Sequence, residues 1–407
     1  MKLTSYCLRA ILAQVLVCLT GAQDCSRMVT RRDIMMLSPQ DWDRTASVFQ
    51  RMYQDGWFRY FATMHSQEFG NIHGNENFFP WHRRFLREVE EIGQRYDGDF
   101  SIPYWDELRD SRNPAGSPVL TPQFVGGNGF GGCVRDGLQA GWTLPFPNRH
   151  CLVRRFDQGG RMQPWYSAEY IYSIMQRYDD MHGLRENIEY TLHGSVHLGV
   201  GGDMAQYWSP NDFIFFLHHA NLDRLWDEWQ HWGHMWTMDG RDSSGRWMTV
   251  DSPIAHYGDT VGSTMQLGAG RMCYMYDSSG PRKLKVSTDR DMGSLALVSK
   301  PSTKVDSNSE EANLAMLPER LLKKWFPSLA NSTKAAVMKG GGNNFNTTRG
   351  AWNTGGKSGG KSLVYPAPLA ASWISMHKFN PDRVARVMRE AREFVDDLNA
   401  AKYLSPY

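Results

Sequence analysis

Apolar side chains recur at three- and four-residue intervals in several separated stretches of the chain, and each stretch predicts a helix with one buried face. Phe85, Leu86, Val89 and Ile92 form one stripe, and Leu184, Ile188 and Leu192 form a second. Val384, Val387, Met388, Ala391, Phe394, Val395 and Leu398 form a third, behind an Asn380-Pro381 start. Ser38-Pro39-Gln40-Asp41 supplies a Ser cap, a Pro in the first turn and an acid three residues after the cap, and so opens a helix through Trp42, Phe49 and Met52. Ser209-Pro210 predicts another start in the same way, and Gly199, Gly201 and Gly202 a stop before it. Residues 111–147 are rich in Gly and Pro and read as one long loop. Such a length is uncommon unless the loop is functional or cross-linked. Residues 278–365 are rich in Ser, Gly, Asn and Lys, with a low-complexity run over 340–361, and predict an extension that is poorly ordered in part. The helix after it is expected to dock on its own core.

Composition narrows the class. Fifteen tryptophans and seventeen tyrosines among 407 residues indicate a folded, aromatic-rich interior. Lys2 and Arg9, the mostly apolar residues 10–19 and the small residues Thr20-Gly21-Ala22 read as a secretory signal, too short and too interrupted by Gln14 for a membrane anchor. Cleavage after Ala22 leaves 43 basic against 43 acidic residues. A neutral chain gives no reason to expect a nucleic-acid or anionic-membrane partner. Cys25, Cys133, Cys151 and Cys273 remain, an even number in an oxidising compartment, so disulfides are expected. Cys133–Cys151 is favoured by proximity, which leaves Cys25–Cys273. Asn331 and Asn346 begin glycosylation sequons.

Histidines carry the candidate chemistry. His73 and His82 bracket an aromatic segment whose second histidine opens the first striped helix, and a buried histidine there is costly unless a metal or hydrogen bond satisfies it. His193 and His197 lie four apart and share a helix face, so they can converge on one ion. Residues 73–90 resemble the copper-A signature of the tyrosinase family of type-3 copper proteins, with His73, Phe78, Phe79, Trp81, His82, Arg83, Leu86 and Glu90 in its slots. Asp212, Phe215, Phe216, His219 and Asp223 resemble the copper-B signature, although Phe213 stands where the family has Pro, a role left to Pro210. Residues 103–106 and Tyr274-Met275-Tyr276 resemble the family's Pro-Tyr-Trp-Asp turn and its closing Tyr-x-Tyr element.

The resemblance implies two copper ions per chain, one held by His65, His73 and His82 and the other by His193, His197 and His219. Imidazole by itself would suit Zn, Fe or Ni as well. His218 sits about 100° around the helix from His219 and is expected to support or pack rather than ligate. Glu90, about 12 Å along its helix from His82, is expected to do the same. Asp223 is placed to orient an imidazole or an Arg. His150, His182, His231, His234, His256 and His377 match no slot and are read as structural.

Two departures and one retained residue bear on activity. Asn71 stands where many relatives carry a Cys cross-linked to His, so no thioether is expected. Gly194 follows His193 where monophenol-active relatives have Asn. Glu189, four residues before His193, is expected to fill the role of the family's assisting catalytic carboxylate, with Glu186 as second choice. The resemblance implies a mainly α fold, a four-helix bundle core holding a dinuclear copper site, with long loops and a less ordered C-terminal extension. The organisation expected is a signal peptide over 1–22, a copper-binding domain over 23–277 and an extension over 278–407. The function implied is a secreted oxidase that uses O2 to convert o-diphenols, and monophenols such as tyrosine weakly if at all, to o-quinones for pigment or matrix cross-linking. Its partners would be O2 and phenolic or catecholic small molecules, or protein tyrosine or DOPA. Two alternatives stand beside it: a hemocyanin-like O2 carrier, disfavoured because the extension reads as too loose to plug the site, and a non-catalytic matrix protein. A zinc hydrolase is disfavoured because no Glu follows His193.

Overall fold

In the computed structural model, residues 25–129, 132–278, 314, 317–331 and 360–407 are described. The signal-like residues 1–22, the Asn346 sequon and most of the low-complexity run lie outside them. The architecture is mainly helical. Helix α1 (Pro39–Gln54) starts as its sequence predicts, with the Ser38 hydroxyl accepting from the Asp41 amide. Helices α2 (Trp57–Ile72) and α3 (Phe78–Gly93) follow it. After the long loop come α4 (Ala168–Arg177) and α5 (Met181–Ile188), which continues through a π-helical turn at Glu189–His193 into α6 (Gly194–Val200). Gly201 ends α6 at φ +63°, where an added Cβ would lie 2.1 Å from the Arg155 carbonyl oxygen. Helix α7 (Ile214–Trp229) packs along α3. The bundle of α2, α3, α5–α6 and α7 is filled by Phe61, Phe85, Phe215, Phe216, Trp81 and Trp226, all essentially fully buried.

The start of α7 differs from expectation. Ser209–Asn211 forms a separate 3-10 turn, and the Ser209 hydroxyl makes no capping bond. The Asp212 carboxylate accepts from the Ile214 amide at 2.9 Å and also takes Arg154 in a two-pronged pair at 2.7 and 2.8 Å. Arg154 donates in turn to the carbonyls of Val125 and Gly126, so one buried ion pair both opens α7 and anchors the long loop.

The loop is cross-linked as expected by Cys133–Cys151, beside the two-stranded pairing of β2 (Thr143–Leu144) with β3 (His150–Cys151). Cys25–Cys273 is the second bridge. Next to it β1 (Val29–Arg31) runs parallel to β4 (Tyr274–Tyr276), Val29 opposite Tyr274 and Arg31 opposite Tyr276. Below these strands Arg31 reaches Glu90 at 2.8 Å and Asp223 at 3.0 Å, while Arg83 holds Asp223 at 2.5 Å. The Tyr274 and Tyr276 hydroxyls each donate to Asp223 at 2.6 Å. Glu90 and Asp223 thus clamp α3, α7 and both strands, and neither touches a histidine.

The described part of the extension is tightly docked. Helix α8 (Glu319–Trp325), the short α9 (Ala371–Met376) and α10 (Pro381–Ala400) all bury apolar faces. Phe394 of α10 meets Tyr170 and Trp325, and its partners Val384 and Val387 pack with Tyr190, Leu369, Trp373 and Phe379. The striped helix therefore docks on its own chain. The extension does more than the expected loose tail, however: residues 369–379 lie directly over the histidines described next.

Candidate metal centre

Each candidate histidine is presented by a bundle helix or its end. His65 projects from the middle of α2, His73 caps that helix, and His82 lies in the second turn of α3. His193 ends the π turn, His197 lies on α6 and His219 on α7. All six are buried. One nitrogen each from His65, His73 and His82 lies within 4.8 Å of the others, and the same holds for His193, His197, His218 and His219. The two groups face each other: the His82 and His219 rings stack at 4.1 Å, and His73 and His193 lie 5.6 Å apart.

The hydrogen bonds prepare these rings to bind a metal. His65 Nδ1 lies 2.6 Å from the Tyr207 carbonyl, His73 Nδ1 3.1 Å from Phe69, His82 Nδ1 2.7 Å from Phe78 and His197 Nδ1 2.5 Å from Met204. A carbonyl can only accept, so each Nδ1 carries the proton and each Nε2 keeps its lone pair. The Nε2 atoms of His65, His82 and His193 are buried with no partner in the protein, and His197 and His219 bring their Nε2 atoms to 3.4 Å. Each buried polar atom left so costs about 1–3 kcal/mol. Burial also lowers the His65 pKa to about 4 and holds His73, His82, His193, His197 and His219 well below the ordinary value. Neutral imidazoles that converge on two points and keep Nε2 lone pairs free of any donor are what a pair of metal ions requires.

His218 is closer to the centre than the helical-wheel argument allows, because one of its nitrogens joins the second group. Its Nδ1 is held 2.7 Å from Glu107, a fully buried carboxyl that also accepts from Asn221. Burial pushes Glu107 well above the usual carboxylate range. The Glu107–His218 pair has no counterpart in the sequence reading. Glu107 lies more than a hundred residues from its partner and fills no motif slot.

Glu189 lies in the π turn, fully buried, and burial raises its pKa to about 7. Its two oxygens accept from the Gly74 amide at 2.8 Å and from Arg185 at 3.1 Å. It therefore braces the turn directly after His73. Glu186 accepts from Arg383 and Arg386 of α10, both at 2.9 Å, and so belongs to the docking of the extension. Asn71 is exposed and bonded to Glu68 and Ser243, and all four described cysteines are in disulfides.

Gly194 is explained by what faces it. A Cβ there would lie 2.6 Å from Leu369 and 3.2 Å from the Trp373 indole nitrogen. Trp373 sits 5.3 Å from His197, and His377 lies 5.0 Å from His73. Beside this cover a cleft of about 980 Å³ leads outward, with His73, Tyr207, Arg241, Trp247, His377 and Arg383 among its walls.

A helical bundle with two facing groups of inward, buried, neutral imidazoles defines a dinuclear, all-histidine metal centre. Residues 55–232 match the common central domain of tyrosinase. Tyrosinase ustQ of Aspergillus flavus is 31% identical over 276 residues, 58% of this chain and 72% of that protein. A tyrosinase of Streptomyces antibioticus is 32% identical over 229 residues, 50% of this chain and 83% of its own length. In fold, the chain is similar to a polyphenol oxidase of Thermothelomyces thermophila, with a TM-score of 0.50 at 21% identity over 66% of this chain and 93% of that one. The chain belongs to the tyrosinase family of dicopper proteins and is a tyrosinase-type oxidoreductase. No helix among the described residues is long and apolar enough to cross a membrane.

Proposed function

We propose that this chain is a secreted catechol oxidase. His65, His73 and His82 hold one copper and His193, His197 and His219 the other, within a unit spanning residues 23–277. The arrangement that carries this reading is the two facing trios of buried, neutral imidazoles, with the Nε2 atoms of His65, His82 and His193 left without a partner. The copper pair supplies reversible one-electron chemistry and a place for O2. Two catechols give up four electrons and four protons, which convert one O2 into two waters and leave two o-quinones.

The protein's part is positioning and exclusion. Carbonyl-held Nδ1–H groups aim the ligands before metal arrives, and the aromatic bundle keeps bulk water from them. The cleft beside His73 gives a phenolic ring its approach. Hydroxylation of monophenols is expected to be weak, because Glu189 has both oxygens committed to Gly74 and Arg185 and the position after His193 is a glycine closed by Leu369 and Trp373. Secretion is supported by the leader-like first 22 residues and two disulfides. The quinones would serve pigment or matrix cross-linking.

A second reading, a hemocyanin-like O2 carrier, is favoured by the cover over the centre, which restricts a substrate more than it restricts O2. Copper analysis with O2-dependent spectra and catechol turnover on the full chain separates the two. Two coppers with rapid quinone formation support the oxidase. Two coppers with reversible O2 uptake and no turnover support the carrier.

A further inference from the structure

The six motif histidines do not exhaust the imidazoles at the centre. His377, on the covering segment, is 5% exposed, and its ring centre lies 5.0 Å from that of His73 and 6.1 Å from that of His193, so it borders both trios although its nitrogens belong to neither group. Within the trios, rings such as His65–His73 and His65–His82 are 5.2 and 5.7 Å apart. His377 is also prepared in the same way as the motif residues. Its Nδ1 lies 3.0 Å from the carbonyl of Trp373, four residues earlier, as His73 bonds to Phe69 and His82 to Phe78. The carbonyl fixes the proton on Nδ1, and the remaining Nε2 lone pair is buried without a partner.

The surrounding chain holds this ring in place. Trp373 packs against it in a tilted arrangement at 3.9 Å and Phe379 likewise at 4.8 Å, and Phe69 lies 4.7 Å away. Lys378, the next residue, adopts φ +55°, an uncommon backbone state for a non-glycine side chain. Arg383 and Arg386 tie the following helix to Glu186. A merely apolar plug would need neither an imidazole nor a fixed tautomer, and leaving Nε2 buried and unbonded has a cost that an apolar residue avoids.

We propose that His377 is a seventh nitrogen donor of this centre, delivered by the C-terminal segment, which engages the copper on the His73 side and competes there with small exogenous ligands. The inference rests on the two trios holding copper. It predicts that the segment closes the site chemically as well as sterically.

The test is azide titration of the oxidised, copper-loaded full chain, followed by absorbance, with copper counted in each sample. His377→Gln is expected to keep two coppers and bind azide at least about tenfold more tightly, because a competing donor is gone. Leu369→Ala loosens the same cover but keeps the donor, and is expected to stay within about threefold of the parent. X-ray absorption is expected to show fewer nitrogen neighbours per copper in His377→Gln alone. Unchanged azide affinity in His377→Gln with both coppers present overturns the donor role and leaves the dicopper reading standing. An equal gain in Leu369→Ala overturns it as well, by making the effect steric. A parent chain that takes up no copper overturns both readings together.

Discussion

Helices α3 and α7 each carry two buried polar regions of opposite character. Towards their starts, His82 and His219 belong to a cluster in which the Nε2 atoms of His65, His82 and His193 have no partner in the protein and those of His197 and His219 meet only each other. Along the same helices, Arg83, Glu90 and Asp223 close on Arg31, Tyr274 and Tyr276, and the acceptor oxygens of both carboxylates are used. Depth is the same in both places, so burial does not explain the contrast. What differs is where the compensation comes from. The ionic cluster is satisfied within the fold and serves stability, whereas the histidine cluster is left open and is satisfied from outside.

The contrast can be broken from either side. The largest effect is expected at the open end: His82→Ala should leave fewer than two coppers per chain and reduce catechol oxidation at least about a thousandfold, with helical circular dichroism unchanged. Next, Asp223→Asn should do the reverse. It leaves Arg31 and Arg83 underpaired and should lower unfolding free energy by about 3–5 kcal/mol in denaturant titrations, while the folded fraction keeps its copper. Acid sharpens the point. Burial alone would raise the Asp223 pKa, but Arg83 and Arg31 outweigh it and hold the carboxyl below its ordinary value of 3.8. Its stabilisation is therefore present above that value and is lost as pH falls through the lower folded one, so the stability gap between parent and Asp223→Asn should narrow only in strong acid. A smaller effect is expected at Glu107→Gln, which weakens the support behind His218 and should lower copper affinity about tenfold by competition with a chelator. The smallest is Ser38→Ala, outside both regions, which should cost about 1 kcal/mol and leave copper content untouched.

Local spacing made much of this legible. The α1 cap, the stripe of α3, the four-residue step from His193 to His197 and the Cys133–Cys151 pairing follow from neighbours in sequence, Cys25–Cys273 is what that pairing leaves, and the structure agrees with them. What sequence reading missed depends on distant partners. Ser209 has the residue type of a cap, but Asp212 takes the role because Arg154 holds its carboxylate beside the first free amide. His218 was placed by an ideal helical angle, which ignores that Glu107 can pull a ring towards the centre. His377 follows a composition shift that reads as a loose tail. An aromatic stands four residues before it, as before His65, His73, His82 and His219, but the same spacing precedes His150 and His182, so the pattern alone does not select it.

The bridge between Cys25 and Cys273 spans 248 positions and sits beside the parallel pairing of β1 with β4. Without it, that pairing joins residues 245 positions apart, a long-range closure of the kind that slows a search for the native topology. With the bridge intact, those strands begin the search as neighbours, and a contact spanning 248 positions becomes a local one. Refolding with the thiols kept oxidised should accordingly outpace refolding after reduction.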